Sequence, residues 1–353
     1  MLKTIVVGSG LVTVVKHLPV LLDHSQEIKV VALCDLNEEN AKKVAERFHI
    51  KKTYKDFTEA LVKETPDVVD ICTPPHTHAK LAMLALESGA HVLIEKPMTL
   101  KLEDCDKIIN AALKYNRKVK VLHNQIYNPV VRKAKEMISN GRIGEFLGMR
   151  VLLSTPTSYL TDQKNHWAHK LPGGAMGETC PHAVYLTTEF IKNINSVEVC
   201  AKKILPQYPW SRFEDYRVNL VGEDRLCSVT LSYGSNQWSA IVELFGSTGV
   251  LKLDLESRVL INYKRNKLKN IEVAMSSLSE AGQIIGSVVS NGFKKIMDKG
   301  FDPHHFAISR FLSDVAAKKY SIDEAQQGRE VVKIMGLIVA ALENKYGKGY
   351  NCY

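Results

Sequence analysis

Two side chains stand where they can act on a bound molecule. Lys96 follows Glu95 at the end of a short apolar run and precedes Pro97, so it is a directed cation at a fixed turn rather than a solvated surface charge. Farther along, Glu178, His182 and Tyr185 are spaced i, i+4 and i+7 and share one helical face. Glu178 can hold the imidazole in one tautomer and raise its basicity, which a proton-transferring histidine needs. An ordinary salt-bridged face with one core histidine has the same spacing.

A third constellation opens the chain. Val6-Val7-Gly8-Ser9-Gly10-Leu11-Val12-Thr13 reads as a strand, a Gly-x-Gly-x-x-Thr turn and a helix. Gly8 permits a sharp turn, and Gly10 lets the backbone approach a pyrophosphate seated on the helix N-terminus. Thr13 replaces the usual third Gly or Ala, which predicts a slightly wider packing of helix on strand. Asp35, at the end of the second strand, is placed to accept from adenosine ribose hydroxyls. Its charge repels a 2'-phosphate, and Leu36 and Asn37 bring no arginine, so NAD is expected to bind more tightly than NADP. A further loop, Cys72-Thr73-Pro74-Pro75-His76-Thr77-His78, ends a later strand and is stiffened by its prolines, so it can lie along the nicotinamide half of such a cofactor. His76 and His78 also fit a plain strand-to-helix turn.

These residues need a scaffold, and the apolar pattern supplies one. Thr4 to Val7, Ile28 to Cys34, Val68 to Cys72, His91 to Ile94 and Lys118 to Leu122 read as nearly all-apolar strands covered on both faces. Helical stretches lie between them at Val12 to Leu22, Asn37 to Phe48, His78 to Ser88 and Leu102 to Tyr115, which predicts a parallel sheet wound with helices. After about residue 123 the rhythm changes. A helix at Val130 to Asn140, a strand at Phe146 to Ser154 and a helix from about Ala175 are followed by strands at Ser196 to Ile204, Tyr216 to Val221, Leu226 to Tyr233, Gln237 to Phe245, Val250 to Leu255 and Arg258 to Tyr263. That succession predicts a mostly antiparallel sheet. Helical patterns close the chain at Ser279 to Lys299, His305 to Lys318 and Asp323 to Lys345.

A length of 353 residues suggests about two domains, and 45% hydrophobic with 24% charged residues excludes global disorder. No apolar run is long enough to span a bilayer, and no leader pattern opens the chain. A cytoplasmic protein without a membrane partner is expected. The seven cysteines, Cys34 to Cys352, are scattered and form no Cys-x-x-Cys pair, so neither a disulfide framework nor a metal site is indicated. The net charge of +9 comes mostly from residues beyond 122, with 29 basic and 22 acidic groups there. Basic and acidic residues alternate, which argues against a nucleic-acid partner. Lys164, His166, His169 and Lys170 cluster before Gly173-Gly174, either to attract an anionic group or as a solvated loop.

Taken in order, Gly8-Ser9-Gly10, Thr73 to His78, Glu95-Lys96-Pro97-Met98, His123 to Pro129 and Gly173-Gly174 to His182 resemble the glucose-fructose oxidoreductase / inositol dehydrogenase (Gfo/Idh/MocA) family over most of the chain. The resemblance implies an α/β protein: a Rossmann dinucleotide-binding domain, residues 1–122, then an α/β domain with an open, mostly antiparallel sheet, residues 123–353, for substrate binding and oligomerisation. It implies Lys96 as the catalytic lysine and His182 as the relay for the proton of a substrate hydroxyl. The family usually has Asp four residues before this histidine and often an acid three residues after it. Glu178 and Tyr185 stand there instead, so substrate contacts do not carry over.

The expected activity is hydride transfer between NAD(P) and a secondary hydroxyl or keto group of a sugar, cyclitol or sugar derivative, with Lys96 stabilising the developing alkoxide. An NAD-dependent redox glycosidase and a non-catalytic NAD-binding sugar sensor are the alternatives. Gly8, Ser9, Gly10, Leu11, Asp35, Thr73, Pro74, His78, Glu95, Lys96 and Asn124 are the expected cofactor contacts. Tyr127, Trp167, Glu178 and His182 are the expected substrate contacts, with Trp167 either a wall for a sugar face or a core residue. A homo-oligomer, dimer or tetramer, through the C-terminal sheet is expected.

Overall fold

The uniformly apolar runs pair as parallel strands. In the computed structural model, which describes residues 1–297 and 302–348, β1 (Leu2–Val7), β2 (Ile28–Cys34), β3 (Thr53–Tyr54), β4 (Val68–Ile71), β5 (His91–Ile94) and β6 (Val119–Val121) form a six-stranded sheet in the order β3-β2-β1-β4-β5-β6. Every pairing is parallel. The strand order reverses between β1 and β4, whose last residues Val7 and Ile71 are in register. Ligands of open parallel sheets bind beyond the strand ends at such a switch point.

The helices of this half are α1 (Leu18–Asp23), α2 (Glu38–Arg47), α3 (Phe57–Glu64), α4 (His78–Glu87) and α5 (Leu102–Tyr115). Local chemistry sets their ends: the Asn37 side chain caps the Asn40 N–H, with Glu38 and Glu39 in the first turn of α2, and α5 stops at Asn116 in the left-handed region. Before α1 the backbone from Thr13 to His17 is a π-helical turn. This wider coil takes the larger residue at the third-glycine position, and the buried Thr13 hydroxyl donates to the Gly8 carbonyl at 2.9 Å. Neither β3 nor α3 was anticipated.

The second half is built on a seven-stranded sheet. After α6 (Pro129–Ser139) come β7 (Phe146–Ser154), α7 (Met176–Phe190), β8 (Ser196–Lys202), β9 (Asp215–Val221), β10 (Leu226–Ser232), β11 (Ser239–Gly246), β12 (Gly249–Asp254) and β13 (Val259–Tyr263). The order is β13-β12-β11-β7-β10-β9-β8, antiparallel except for β7 with β10. Alternate residues, among them Val151, Val218, Val229, Val242 and Leu251, are buried on one face, the period of two that the sequence shows. α8 (Asn270–Met297) follows and begins well before the expected Ser279; the expected end, Lys299, lies outside the described residues, as does Cys352.

α9 (Pro303–Ala316) and α10 (Asp323–Tyr346) complete the chain. Two compact units result: Met1–Asn124 with Asp302–Lys333, and the described residues of Gln125–Phe301 with Ile334–Tyr353. A single cut after residue 122 therefore misses a return of the chain to the first unit. Charge explains the return. Lys120 on β6 and Lys118 just before it are almost fully buried, and Glu324 lies 2.7 Å from both ammonium groups, with Asp314 3.2 Å from Lys118. Buried charges need such partners. Gly328 of α10 sits so close to β6 that a Cβ there would lie 2.5 Å from Val121. Among the described residues no helix is long and apolar enough to cross a membrane.

Candidate active site

In the first unit the Gly8 turn leaves β1 beside the loop that leaves β4. Gly8 has φ +99°, and a Cβ would fall 2.6 Å from the Cys72 carbonyl oxygen, so two strand ends meet backbone to backbone. At Gly10 a Cβ would meet nothing within 4 Å; the missing side chain leaves open space over the turn. Ser9 is buried, and both its N–H and its hydroxyl donate to Asp35 Oδ2, at 2.7 and 2.6 Å. Asn40 donates to the Ser9 carbonyl at 2.8 Å. Ser9 thus fixes Asp35 instead of facing outward with Leu11, which is exposed.

That arrangement narrows one expectation. Asp35 Oδ2 already takes two donors and Oδ1 takes Asn37 N–H at 2.8 Å, so one acceptor direction on Oδ1 remains for a ribose hydroxyl. Asp35→Ala should bring NADP affinity up to that of NAD or above, read by titrating both nucleotides; a wild-type protein that already binds NADP as tightly as NAD contradicts this role.

His78 sits elsewhere than a cofactor contact requires. Its ring is fully buried, with Nδ1 2.9 Å from the Pro97 carbonyl and Nε2 2.8 Å from the Thr73 carbonyl. It ties the Thr73 loop to the Lys96 loop, and burial pushes its pKa down. Thr73 and Thr77 hydroxyls meet at 2.6 Å and Thr77 donates to the Pro74 carbonyl at 2.9 Å, so the proline loop is held on both sides.

Beneath Lys96 lies a charge network absent from the sequence reading. His17, fully buried, has Nδ1 2.8 Å from Asp70 and Nε2 3.0 Å from Glu95. A neutral imidazole carries one N–H, so short contacts to two carboxylates require the doubly protonated ring. Burial works against that charge, but Asp70 and Cys72 together outweigh it and hold the histidine well above its ordinary value. Burial likewise raises Glu95, yet the His17 hydrogen bond and charge bring it down to about 2. The other Glu95 oxygen accepts the Lys96 backbone N–H at 3.0 Å. His17 therefore anchors the carboxylate that anchors the Lys96 segment. The His17, Asp70 and Cys72 donor atoms lie within 4.8 Å of one another, but both ring nitrogens are spent on carboxylates, which leaves no lone pair for a metal.

Asn124 reaches His304, with Nδ2 3.3 Å from its ring nitrogens. His304 belongs to the first turn of α9, which Asp302 caps while pairing with Lys16 at 2.7 Å. The sequence reading missed His304, although Asp302-Pro303 before it is a helix-start signal.

The second unit carries a cavity of about 210 Å³ whose lining includes Gln125, Tyr159, Glu178, Thr179, His182 and Trp238. α7 brings Glu178 and His182 to it. The helix starts tightly because Gly173 and Gly174 adopt positive φ and a Cβ at Gly177 would lie 2.7 Å from the Pro172 carbonyl. Glu178 Oε2 accepts from the Thr179 hydroxyl at 2.9 Å, and the group meeting His182 Nδ1 is Tyr185 Oη at 2.6 Å. The spacing i, i+3 puts that pair together as readily as i, i+4. Tyr185, itself buried, also accepts from the Gln125 N–H at 3.2 Å. Its oxygen has two lone pairs and can take both N–H groups, the arrangement that leaves Nε2 as the proton acceptor.

Two expected substrate contacts are displaced. Trp167 stacks on His166, and Trp238, in edge contact with Tyr159 at 5.0 Å, provides the aromatic lining instead. Tyr127 is half-buried in the turn Asn124–Tyr127, whose Gln125 lines the cavity. The basic cluster also changes character. His169 Nε2 faces the Leu160 and Gln163 carbonyls and His166 accepts from Ala168 N–H, and burial pushes both rings down. Lys164 and Lys170 are left exposed.

A wound parallel sheet with a glycine turn and an acid after β2, joined to an antiparallel-sheet unit with a histidine-bearing cavity, defines a class: nicotinamide-dependent oxidoreductases. Residues 2–123 match the model described as oxidoreductase family, NAD-binding Rossmann fold, and residues 131–252 match the GFO/IDH/MocA C-terminal domain. The chain belongs to the Gfo/Idh/MocA oxidoreductase family. It is 28% identical over 184 residues to the levoglucosan dehydrogenase of Pseudarthrobacter phenanthrenivorans, covering 51% of this chain and 47% of that protein. To the myo-inositol 2-dehydrogenase of Thermotoga maritima it is 27% identical over 139 residues, 38% of this chain and 42% of the other. The chain thus spans less than half the length of these two relatives. The crystal structure of myo-inositol 2-dehydrogenase from Lactobacillus plantarum superposes with TM-score 0.78 at 17% identity, covering 98% of both chains, a likeness of fold.

NAD suits the first unit. Gly8 admits no side chain, Gly10 leaves its turn open, and the fixed Asp35 carboxylate stands at the end of β2.

Proposed function

We propose that the chain is an NAD-dependent dehydrogenase that oxidises a secondary hydroxyl of a neutral sugar or cyclitol, or reduces the corresponding ketone. The observation that carries this reading is the cavity on α7. Its lining pairs a histidine, pinned at Nδ1, with two carboxylates, Glu178 and Glu256, and neutral hydrogen-bonding groups, and holds no Lys or Arg among the described residues. Bound NAD would supply the hydride acceptor. His182 Nε2 takes the hydroxyl proton, and Tyr185 keeps the ring oriented. The Lys96 ammonium, on a segment fixed by Glu95, stabilises the developing alkoxide. Glu178 and Gln125 accept from and donate to neighbouring hydroxyls. The levoglucosan and myo-inositol of the relatives' names set the chemical class to try first.

The test is formation of reduced nicotinamide from NAD with a panel of anhydrosugars, inositols and glucosides. Turnover of at least one neutral polyol is expected. A glycoside cleaved with no net reduced cofactor points to the redox glycosidase, and binding without turnover to the sensor. A neutral substrate gains no charge attraction from a lining whose only fixed charges are carboxylates, so its KM is predicted not to change with added salt; a KM rising steeply with ionic strength contradicts a neutral substrate and restores the role of Lys164 and Lys170. The same reading includes a cytoplasmic protein, supported by buried free thiols at Cys34, Cys72, Cys105, Cys180 and Cys227, and a homo-oligomer formed through the seven-stranded sheet, to be measured by light scattering.

A further inference from the structure

α8 is amphipathic in the reverse sense. Its polar side faces its own unit: Glu280 pairs with Lys252 at 3.0 Å, Gln283 exchanges hydrogen bonds with the Asn262 backbone, and Asn291 donates to the Arg258 carbonyl at 2.8 Å. Its apolar side faces outward. Ile271 is 73% exposed, Met275 63%, Leu278 67% and Ile285 66%, with Val288 and Val289 also exposed. Cβ atoms at Gly282, Gly286 and Gly292 would meet nothing within 4 Å. A surface helix that serves only its own core shows the opposite arrangement.

Charge indicates what covers this face. Lys264, Arg265, Lys267 and Lys269 precede the helix within six residues, Lys294 and Lys295 fall in its last turn, and Glu272 and Glu280 are the only acids from 264 to 297. Both acids are paired, with Lys267 and Lys252. A second copy fits poorly, because either orientation of two such helices sets basic ends on basic ends. The stripe from Ile271 to Val289 is about 27 Å long. An apolar face with basic flanks instead matches an interfacial helix on a negatively charged bilayer.

We propose that the outward face of α8, with the basic segment from Lys264 to Lys269, docks the protein on an anionic lipid bilayer surface, lying in the interface without crossing it. The expectation of no membrane partner then fails at this one element.

The test is co-sedimentation of the full chain with phosphatidylcholine vesicles with and without phosphatidylglycerol. Binding is expected only with the anionic lipid, and it should weaken as salt rises. Leu278→Glu with Ile285→Glu should lower vesicle affinity about ten-fold or more, and Lys264→Gln with Lys269→Gln several-fold, while NAD binding is retained. Should the glutamate pair unfold the chain, the salt dependence and the glutamine pair carry the test. Absence of binding to anionic vesicles overturns the proposal. So does a glutamate variant that binds vesicles as wild type, or one that lowers the oligomeric mass of a protein indifferent to vesicles, the sign of a second copy on this face.

Discussion

Replacement of His182 by alanine is expected to lower kcat by roughly 100-fold or more and leave NAD affinity unchanged, because a positioned general base contributes on that scale to the transition state and nothing to holding the cofactor. Lys96→Ala should cost as much by removing charge stabilisation of the alkoxide. If both act on one transition state, the double variant will fall far short of the product of the two losses. Tyr185→Phe removes the oxygen 2.6 Å from Nδ1; its loss should be smaller than that of His182→Ala and should shift the pH dependence of kcat. Near-normal turnover in His182→Ala would make the residue structural.

His17→Gln is expected to have the largest effect on stability. The variant leaves Asp70 and Glu95 buried without the cation between them, and breaking a buried pair from one side costs about 3–5 kcal/mol, or a Tm lower by roughly 10 °C for a unit of this size. The dependence on pH follows from both groups. His17 is raised above 6.5, so its contribution is full below that value and is lost as pH rises through the higher folded value. Glu95 is lowered from 4.5 to about 2, so its contribution is present above 4.5 and is lost as pH falls toward 2. The gap between wild type and variant should therefore be widest between about pH 4.5 and 6.5. A variant with an unchanged melting profile across that window would remove the network from the account. Loss of the Glu95 anchor should also lower kcat, since the Lys96 N–H hangs on that carboxylate.

What the sequence made legible follows from range. β2, β5 and α5 begin and end where periodicity put them, because uniform apolar runs and αL or Gly stops act locally. β3 is two residues, Thr53–Tyr54, too short to show any period. α3 carried a local mark that went unread, Asp56 capping the Glu59 N–H at 2.8 Å. The site residues divide the same way. The glycine turn and Asp35 are legible because their spacing is fixed by one strand–helix–strand unit. His17 is not, since it sits in an apolar helix and acquires its role from Asp70 and Glu95, 53 and 78 positions away. The run Lys118 to Leu122 is legible as a strand, but the partners of its two lysines are not, because Asp314 and Glu324 reach them from far along the chain. In α7, spacing could say which residues share a face but not which of Glu178 and Tyr185 meets the imidazole.

The central claim, hydride transfer from a polyol carbon paired with proton transfer to His182, is tested most directly by isotope. A substrate found in the polyol panel, deuterated at the carbinol carbon, is turned over once with NAD and the reduced cofactor is weighed by mass spectrometry. One deuterium in the reduced nicotinamide, formed by wild type and lost at least 100-fold in rate in His182→Ala, is the predicted result. Reduced cofactor free of deuterium, or equal rates of labelling in both proteins, would contradict it.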